Sequence, residues 1–276
     1  LEGLNGNVAP ILPQTVGVRP FKGLDHAARQ LRDALEGSYL WSVDASRPLQ
    51  DPLSYRVTVY GLAGAEKAVN DLKSEIDVQI NSTDDNPATI LNASSDYRSS
   101  STQVDNYFVQ GNGVKGAIIP SGNFNPLPVA LAVQRAALAM AHLSHYSVQR
   151  TVHLSYDQFT HLSRFLAAPG NVGHAFGAVQ KSFMGLHVEN MALAQPVSLY
   201  GMPVAGEIED TFTNILQASQ RLCQMNENMF NIYSVEMLHS AQAIDLRKLK
   251  NKDLQLSRTT GKLYGDYRSL VKYVDR

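Results

Sequence analysis

The sequence predicts a mainly α-helical fold, a bundle of long helices with one short irregular or β-containing segment. Three observations predict it. Residues 127–153 are rich in alanine and apolar almost all round, which is typical of a helix in the middle of a bundle. Residues 207–260 contain neither glycine nor proline, which predicts one very long helix or two nearly continuous ones. Residues 23–37 and 54–80 carry apolar positions at helical spacing.

The two earlier helices follow from that spacing and from their ends. Residues 23–37 place leucines and alanines on one face, and Gly37 suits a helix stop. Residues 54–80 fit a long helix better than the alternation of a strand, and this helix is predicted to end before Asn81.

Residues 81–125 differ from the rest of the chain. They concentrate Gly, Pro, Asn, Asp and Ser, the residues that make turns, so we expect an irregular loop segment with one or two short strands. Pro128 suits the first turn of the helix that follows. We therefore predict one helical domain over 1–276, in which 126–276 supply the central long helices and the C-terminal helices.

Composition excludes several classes of function. The chain has 24 basic and 25 acidic residues and a net charge of −1, so neither nucleic acid nor an anionic membrane is predicted as a partner. The sole cysteine, Cys223, is predicted to be a small core hydrophobe in a reducing compartment, which predicts a cytoplasmic protein. We find no apolar run of about eighteen residues and no signal-peptide pattern. Residue 1 is not methionine, which indicates that the gene begins upstream, although removal of the methionine or trimming of the chain would look the same.

Five segments, in this order and spacing, resemble the histidine/phenylalanine ammonia-lyase family. They are QDPLSYR (Gln50–Arg56), STDDNP (Ser82–Pro87), SGNFNPLP (Ser121–Pro128), PVAGEIEDTFTN (Pro203–Asn214) and MLHSAQAIDLR (Met237–Arg247). The resemblance covers the family's C-terminal half and is nearest to histidine ammonia-lyase-like members.

The resemblance implies a helical bundle of the fumarase/aspartase-like type, assembled as a homotetramer whose active sites collect residues from more than one subunit. It also implies an electrophile, 4-methylidene-imidazol-5-one (MIO), which forms from an internal Ala-Ser-Gly. This chain contains no Ala-Ser-Gly. The electrophile and the family's catalytic loop tyrosine are therefore expected in an N-terminal half of the same protein, and this chain alone is expected to be inactive.

The resemblance assigns substrate-holding roles within QDPLSYR. A bidentate arginine suits an amino acid carboxylate, because the guanidinium matches two oxygens and stays charged. The family pattern puts that role on Arg56; the alternative is a solvated surface charge. Gln50 resembles a residue near the substrate amine, with a helix-entry cap as its alternative. Leu53 stands where many members carry tyrosine, so either Tyr55 supplies that hydroxyl from another direction or the chemistry differs.

SGNFNP implies a second group of residues. Asn123 and Phe124 resemble the pair beside the electrophile, where the amide forms hydrogen bonds and the ring packs over the reacting centre. Their alternatives are a turn asparagine and a core phenylalanine. Asn125 occupies a position that is often histidine in histidine lyases, which weakens the case for histidine as substrate.

Glu209 is the specificity residue that the resemblance implies. Histidine-directed members carry glutamate at the matching position, whereas phenylalanine-directed members tend to have glutamine. A carboxylate can accept a hydrogen bond from an imidazole ring or exchange a proton with it. The alternative is that Glu207, Glu209 and Asp210 complement the positive end of a helix dipole.

Three other patterns predict no site. GNGVKG (Gly111–Gly116) fits a dinucleotide-binding pattern by letters, yet AIIPSGN follows where a helix would have to begin. The acidic pair in STDDNP lacks the spacing of a calcium loop. The eight histidines show no zinc-ligand pattern, so no metal is predicted.

These residues leave three hypotheses open. The first is part of a lyase that eliminates ammonia from histidine or a similar aromatic amino acid, with an aminomutase as a variant. The second resembles ergothionase, which expels trimethylamine from a betaine without the MIO group, because that leaving group is already cationic. The third is a non-catalytic helical assembly protein, which suits long apolar helices and the departures at Leu53 and Asn125.

Overall fold

The computed structural model describes residues 1–94 and 102–273, and within them the fold is mainly helical, as the sequence predicts. The helices are α1 (Pro13–Gly17), α2 (Leu24–Ala34), α3 (Leu53–Arg56), α4 (Thr58–Ile80), α5 (Thr102–Asp105), α6 (Leu127–Leu154), α7 (Asp157–Thr160), α8 (Gln180–Leu193), α9 (Ile215–Lys250) and α10 (Arg258–Leu270). The strands are β1 (Ala88–Leu91), β2 (Phe108–Gly111) and β3 (Val114–Ile119).

The chain divides into two compact units. Unit 1 comprises Leu1–Val69, Arg135–Gln195 and Gln220–Arg276. Unit 2 comprises Asn70–Gln134 and Pro196–Ser219.

Apolar burial holds the helices of unit 1 together. Leu24 of α2 and Val59 of α4 lie in one buried cluster. Val148 of α6, Phe183 of α8 and Ile232 of α9 lie in another. Each such side chain contributes about 1.5–3 kcal/mol when it is fully buried. The amphipathic spacing in the sequence therefore corresponds to real core contacts.

Helix α6 is long and apolar enough to cross a membrane by length and composition, and no second helix within 1–94 and 102–273 meets that test. The core helix of a soluble protein passes the same test. In unit 1, Ser144 and Val148 of α6 are fully buried, and Arg150 forms an ion pair with Glu236 of α9. These contacts are those of a central helix of a bundle, which the alanine-rich pattern predicts.

Unit 2 contains an antiparallel sheet in the order β1-β3-β2. The segment predicted to hold one or two strands thus has three. Asn112 and Gly113 join β2 to β3 with φ angles of 50° and 77°, and Gly111 pairs with Val114 beside them. Positive φ at both central residues suits a two-residue hairpin turn of type I′. GNGVKG is therefore not a dinucleotide-binding loop, as its sequence context indicates, but it forms a β-hairpin where the sequence predicts only a loop.

The glycine- and proline-free stretch is less helical than the sequence predicts. Helix α9 begins only at Ile215, and a break over 251–257 separates it from α10. Residues 205–207 all have positive φ, which turns the chain before a helix can start. No acidic residue lies in the first turn of α9. The helix-dipole interpretation of Glu209 is therefore wrong.

The prediction that Cys223 is a core residue is also wrong, because its side chain is exposed on α9. Met225, two residues later, is fully buried. Two residues correspond to a rotation of roughly 200° around a helix, so the two side chains face nearly opposite directions.

Candidate functional site

Helix α3 is a single turn that follows Gln50 closely and carries Tyr55 and Arg56. Pro52 is its N-cap residue, and no side chain caps the helix. Gln50 is therefore not a helix-entry cap, and its exposed side chain has no hydrogen-bond partner in the described ranges. Val57 is the C-cap residue of α3, and α4 begins at the next residue.

Arg56 has a partly buried guanidinium without a protein anion. Its Nε is buried and has no hydrogen-bond partner, and the group forms no ion pair within 1–94 and 102–273. A buried donor without an acceptor is costly, and more so when it is charged. An added carboxylate would satisfy both the charge and the two-donor edge.

Tyr55 precedes Arg56 in the same helical turn and is buried inside unit 1. Its side chain is 6% exposed, and its hydroxyl donates to the backbone oxygen of Arg150 at 2.9 Å. Burial, and next the charge of Glu236, raises the pKa of this phenol well above 10. Leu53, by contrast, is 60% exposed. The hydroxyl of Tyr55 is thus already hydrogen-bonded in the core. It does not replace the tyrosine hydroxyl that many family members carry at the position of Leu53.

Asp51 lies within QDPLSYR, but the sequence analysis assigns it no role. It is 3% exposed, and its Oδ2 accepts a hydrogen bond from the backbone N–H of Asn7 at 2.7 Å. Burial raises the pKa of this carboxyl group. The contact joins positions 44 residues apart, so local sequence patterns carry no signal of it.

Asn123 and Phe124 lie in a turn between β3 and α6 in unit 2. Phe124 is 53% exposed, so its interpretation as a core phenylalanine is wrong. The side-chain amide of Asn123 is exposed and has no partner among the residues that the structure describes. Asn125 is engaged, because its Oδ1 accepts a hydrogen bond from the N–H of Leu127 at 3.0 Å at the start of α6.

Glu209 is presented by a tight turn in unit 2. Its backbone pairs with Val204 in an isolated antiparallel bridge, and its carboxylate is exposed and free of ion pairs within the described part of the chain. Hydrogen bonds to Val197 hold the base of the loop formed by residues 197–214. Gln134 accepts hydrogen bonds from the N–H of Val197 at 2.8 Å, and Asn214 donates to the oxygen of Val197 at 2.7 Å. Sequence analysis missed both amides.

Three candidates lie in unit 1 (Gln50, Tyr55 and Arg56) and three in unit 2 (Asn123, Phe124 and Glu209). Four of them offer unpartnered polar groups within the described ranges: two amides, a guanidinium and a carboxylate. The guanidinium of Arg56 suits a carboxylate, and the carboxylate of Glu209 suits a hydrogen-bond donor. In the described ranges no three His, Cys, Asp or Glu side chains are grouped as metal ligands.

The sequence matches the aromatic amino acid lyase family over residues 1–269. The histidine ammonia-lyase of Shewanella pealeana is 28% identical over 278 aligned residues, which are 100% of this chain and 49% of that protein. The histidine ammonia-lyase of Streptococcus pyogenes is 26% identical over 275 aligned residues. The chain spans about half the length of the curated relatives that it matches.

Solved structures show the same fold. The ergothionase of Treponema denticola, solved in complex with desmethyl-ergothioneine sulfonic acid, is 34% identical with a TM-score of 0.85. The match covers 100% of this chain and 50% of that one. The histidine ammonia-lyase of Trypanosoma cruzi has a TM-score of 0.77 at 21% identity, covering 98% and 46% of the two chains.

Proposed function

The chain belongs to the aromatic amino acid lyase family, and we propose that it holds the substrate in an enzyme that eliminates ammonia from histidine or a similar aromatic amino acid. The product would be an α,β-unsaturated acid. The observation that carries the proposal is the half-buried Arg56 guanidinium, which has no anion within the described residues. Its bidentate edge fits the carboxylate that such substrates share.

Each free side chain then has one role. Arg56 binds the substrate carboxylate, and Glu209 accepts a hydrogen bond from an imidazole ring. Gln50 is a neutral hydrogen-bonding group near the amine. Holding the substrate rigidly converts binding energy into a productive geometry for removal of the weakly acidic β-hydrogen.

Asn123 and Phe124 fit a place beside the family's MIO group, because an exposed amide and an exposed ring are both available for contact. When bound, that group would supply the electrophile that lets the substrate amine leave. The chain has no Ala-Ser-Gly from which MIO forms, so in this proposal the group would be supplied by another polypeptide segment.

We accordingly propose that this chain works together with another polypeptide segment, in a homotetramer, and has no activity alone. The support is that the chain spans about half the length of its curated relatives. Apolar side chains exposed on the long helices, such as Leu138 and Phe230, are suited to contacts between subunits.

The test is turnover by the intact protein, meaning this chain together with the polypeptide segment that completes it. Incubation with L-histidine, L-phenylalanine and L-tyrosine in separate reactions, followed in the ultraviolet, detects the conjugated acid product. The proposal expects urocanate from histidine, released together with one equivalent of ammonia. Absence of product with all three amino acids would remove it.

A second candidate is an ergothionase-like elimination of trimethylamine from a betaine. Identity is 34% to the ergothionase of Treponema denticola and 28% to the histidine ammonia-lyase of Shewanella pealeana, which favours this alternative. Leu53 is exposed and lies three residues from Arg56, on the same face of the helix. An apolar side chain there suits a trialkylammonium group better than a primary amine. Incubation with the trimethylbetaine of histidine distinguishes the two functions. Release of trimethylamine, without turnover of histidine, would support the ergothionase-like elimination.

A further inference from the structure

We propose that Asp51 and Tyr55 are positioning residues, which hold α3 through two separate hydrogen bonds so that Arg56 keeps one direction toward a substrate carboxylate. The inference rests on the proposed function and deepens it. Neither residue touches the substrate in this account. Each acts through the backbone of the turn that carries Arg56.

Helix α3 needs such anchors because it is only four residues long. An isolated single turn is unstable, since nucleation fixes several backbone angles for one hydrogen bond. The guanidinium of Arg56 has no partner within 1–94 and 102–273 to fix it either. Its direction is therefore set by how α3 is attached to the rest of unit 1.

Asp51 provides the first anchor, through Asn7. The carboxylate accepts the backbone N–H of Asn7 at 2.7 Å, while the side-chain amide of Asn7 donates to the oxygen of Pro48 at 2.6 Å. Asn7 thus fastens both ends of the short turn that presents Gln50. Gly6 permits the approach, because a Cβ atom there would lie only 3.0 Å from Oδ2 of Asp51.

Tyr55 provides the second anchor, from the core side. Its hydroxyl donates to the backbone oxygen of Arg150 at 2.9 Å, and the side chain is almost fully buried. Arg150 is itself immobilised by its ion pair with Glu236. The two anchors lie on either side of Pro52–Ser54, so a shift of α3 must break at least one of them.

The test is a double-mutant cycle on the intact protein, with KM and kcat measured on whichever of histidine or its trimethylbetaine is turned over. We expect Asp51→Ala to raise KM about tenfold and Tyr55→Phe about threefold, with kcat changed less than about twofold. Asp51→Asn, which keeps an acceptor for Asn7, recovers most of the loss. Asp33→Ala, which removes an exposed carboxylate, is the matched control and leaves KM unchanged.

The decisive comparison is made in the Arg56→Ala background, where the guanidinium that Asp51 and Tyr55 are proposed to position is absent. There, Asp51→Ala and Tyr55→Phe each change KM by less than about 1.5-fold, a non-additivity that general loss of structure does not produce. Equal effects in both backgrounds, or no effect in the wild-type background, overturn this inference alone. Lack of any Arg56→Ala effect on KM overturns the proposed function instead. Should Asp51→Ala fail to fold, Asp51→Asn and Tyr55→Phe complete the same cycle.

Discussion

The guanidinium of Arg150 contacts both carboxylate oxygens of Glu236, with Nε to Oε1 at 2.6 Å and Nη2 to Oε2 at 2.9 Å. The side chains are only 14% and 17% exposed. Ser147 adds a third donor to the same carboxylate at 2.5 Å. This pair joins α6 to α9 and supports the carbonyl group to which Tyr55 is bonded.

The first prediction is that Glu236→Gln strongly destabilises the protein. The variant keeps the shape but leaves the Arg150 charge buried without a counter-ion, so we expect a loss of about 3 kcal/mol in the free energy of unfolding. Urea denaturation of the intact protein measures it. Asp77→Asn breaks the exposed Lys73–Asp77 pair and should cost less than about 0.5 kcal/mol. Equal losses of unfolding free energy in the two variants would show that the buried ion pair stabilises the protein no more than the exposed one.

The second prediction concerns pH. Burial lowers the pKa of His239, and burial together with neighbouring His145 lowers that of His187, from 6.5. The unfolded chain then binds more protons at these two histidines than the folded one, so their contribution to stability is fully present above about pH 6.5 and is lost as the pH falls below it. Melting temperature should therefore drop as the pH is lowered from about 6.5. His239→Gln should flatten this dependence, whereas His142→Gln, which removes an exposed histidine, should leave the slope unchanged.

A third prediction tests the pairing of β1 with β3 in the sheet of unit 2. A Cβ atom on Gly116 would lie 2.6 Å from the backbone oxygen of Ile90, so Gly116→Ala forces β1 and β3 apart. We expect a loss of about 1–3 kcal/mol and faster hydrogen exchange in β1. Gly111→Ala is the control, because nothing lies within 4 Å of its added methyl group. If both alanine variants behave alike, the described strand pairing is incorrect.

A fourth prediction separates substrates. Glu209→Gln removes the charge that suits an imidazole ring, so kcat/KM for histidine should fall at least about tenfold more than for phenylalanine. Glu207→Gln, in the same exposed turn, should change neither. An equal fall in kcat/KM for both amino acids after Glu209→Gln would mean that Glu209 does not distinguish the imidazole ring from the phenyl ring.

The long helices could be predicted from the sequence because their apolar pattern is local. Helix α6 was expected over 127–153 and spans Leu127–Leu154, and α4 ends at Ile80, before Asn81, as its pattern indicates. The Asn112-Gly113 pair between β2 and β3 was also readable as a hairpin signal. The sequence supported a loop there, without its third strand.

Other features depend on distant contacts and could not be predicted. The burial of Asp51 requires Asn7, and the fastening of the Glu209 loop requires Gln134 on another element. The start of α9 at Ile215 depends on backbone angles at 205–207, which the absence of glycine and proline after 206 does not reveal. For the candidate site, motif resemblance supplied the residues, and the structure added which side chains are free and which are bonded.

The central claim is that Arg56 binds the substrate carboxylate, and the most direct measurement compares L-histidine with L-histidinamide as ligands of the intact protein. The amide lacks the charge that the guanidinium needs. In the wild type, the acid should bind at least about tenfold more tightly than the amide, and Arg56→Ala should bring this ratio close to one. A preference for the acid that Arg56→Ala leaves unchanged would contradict the account.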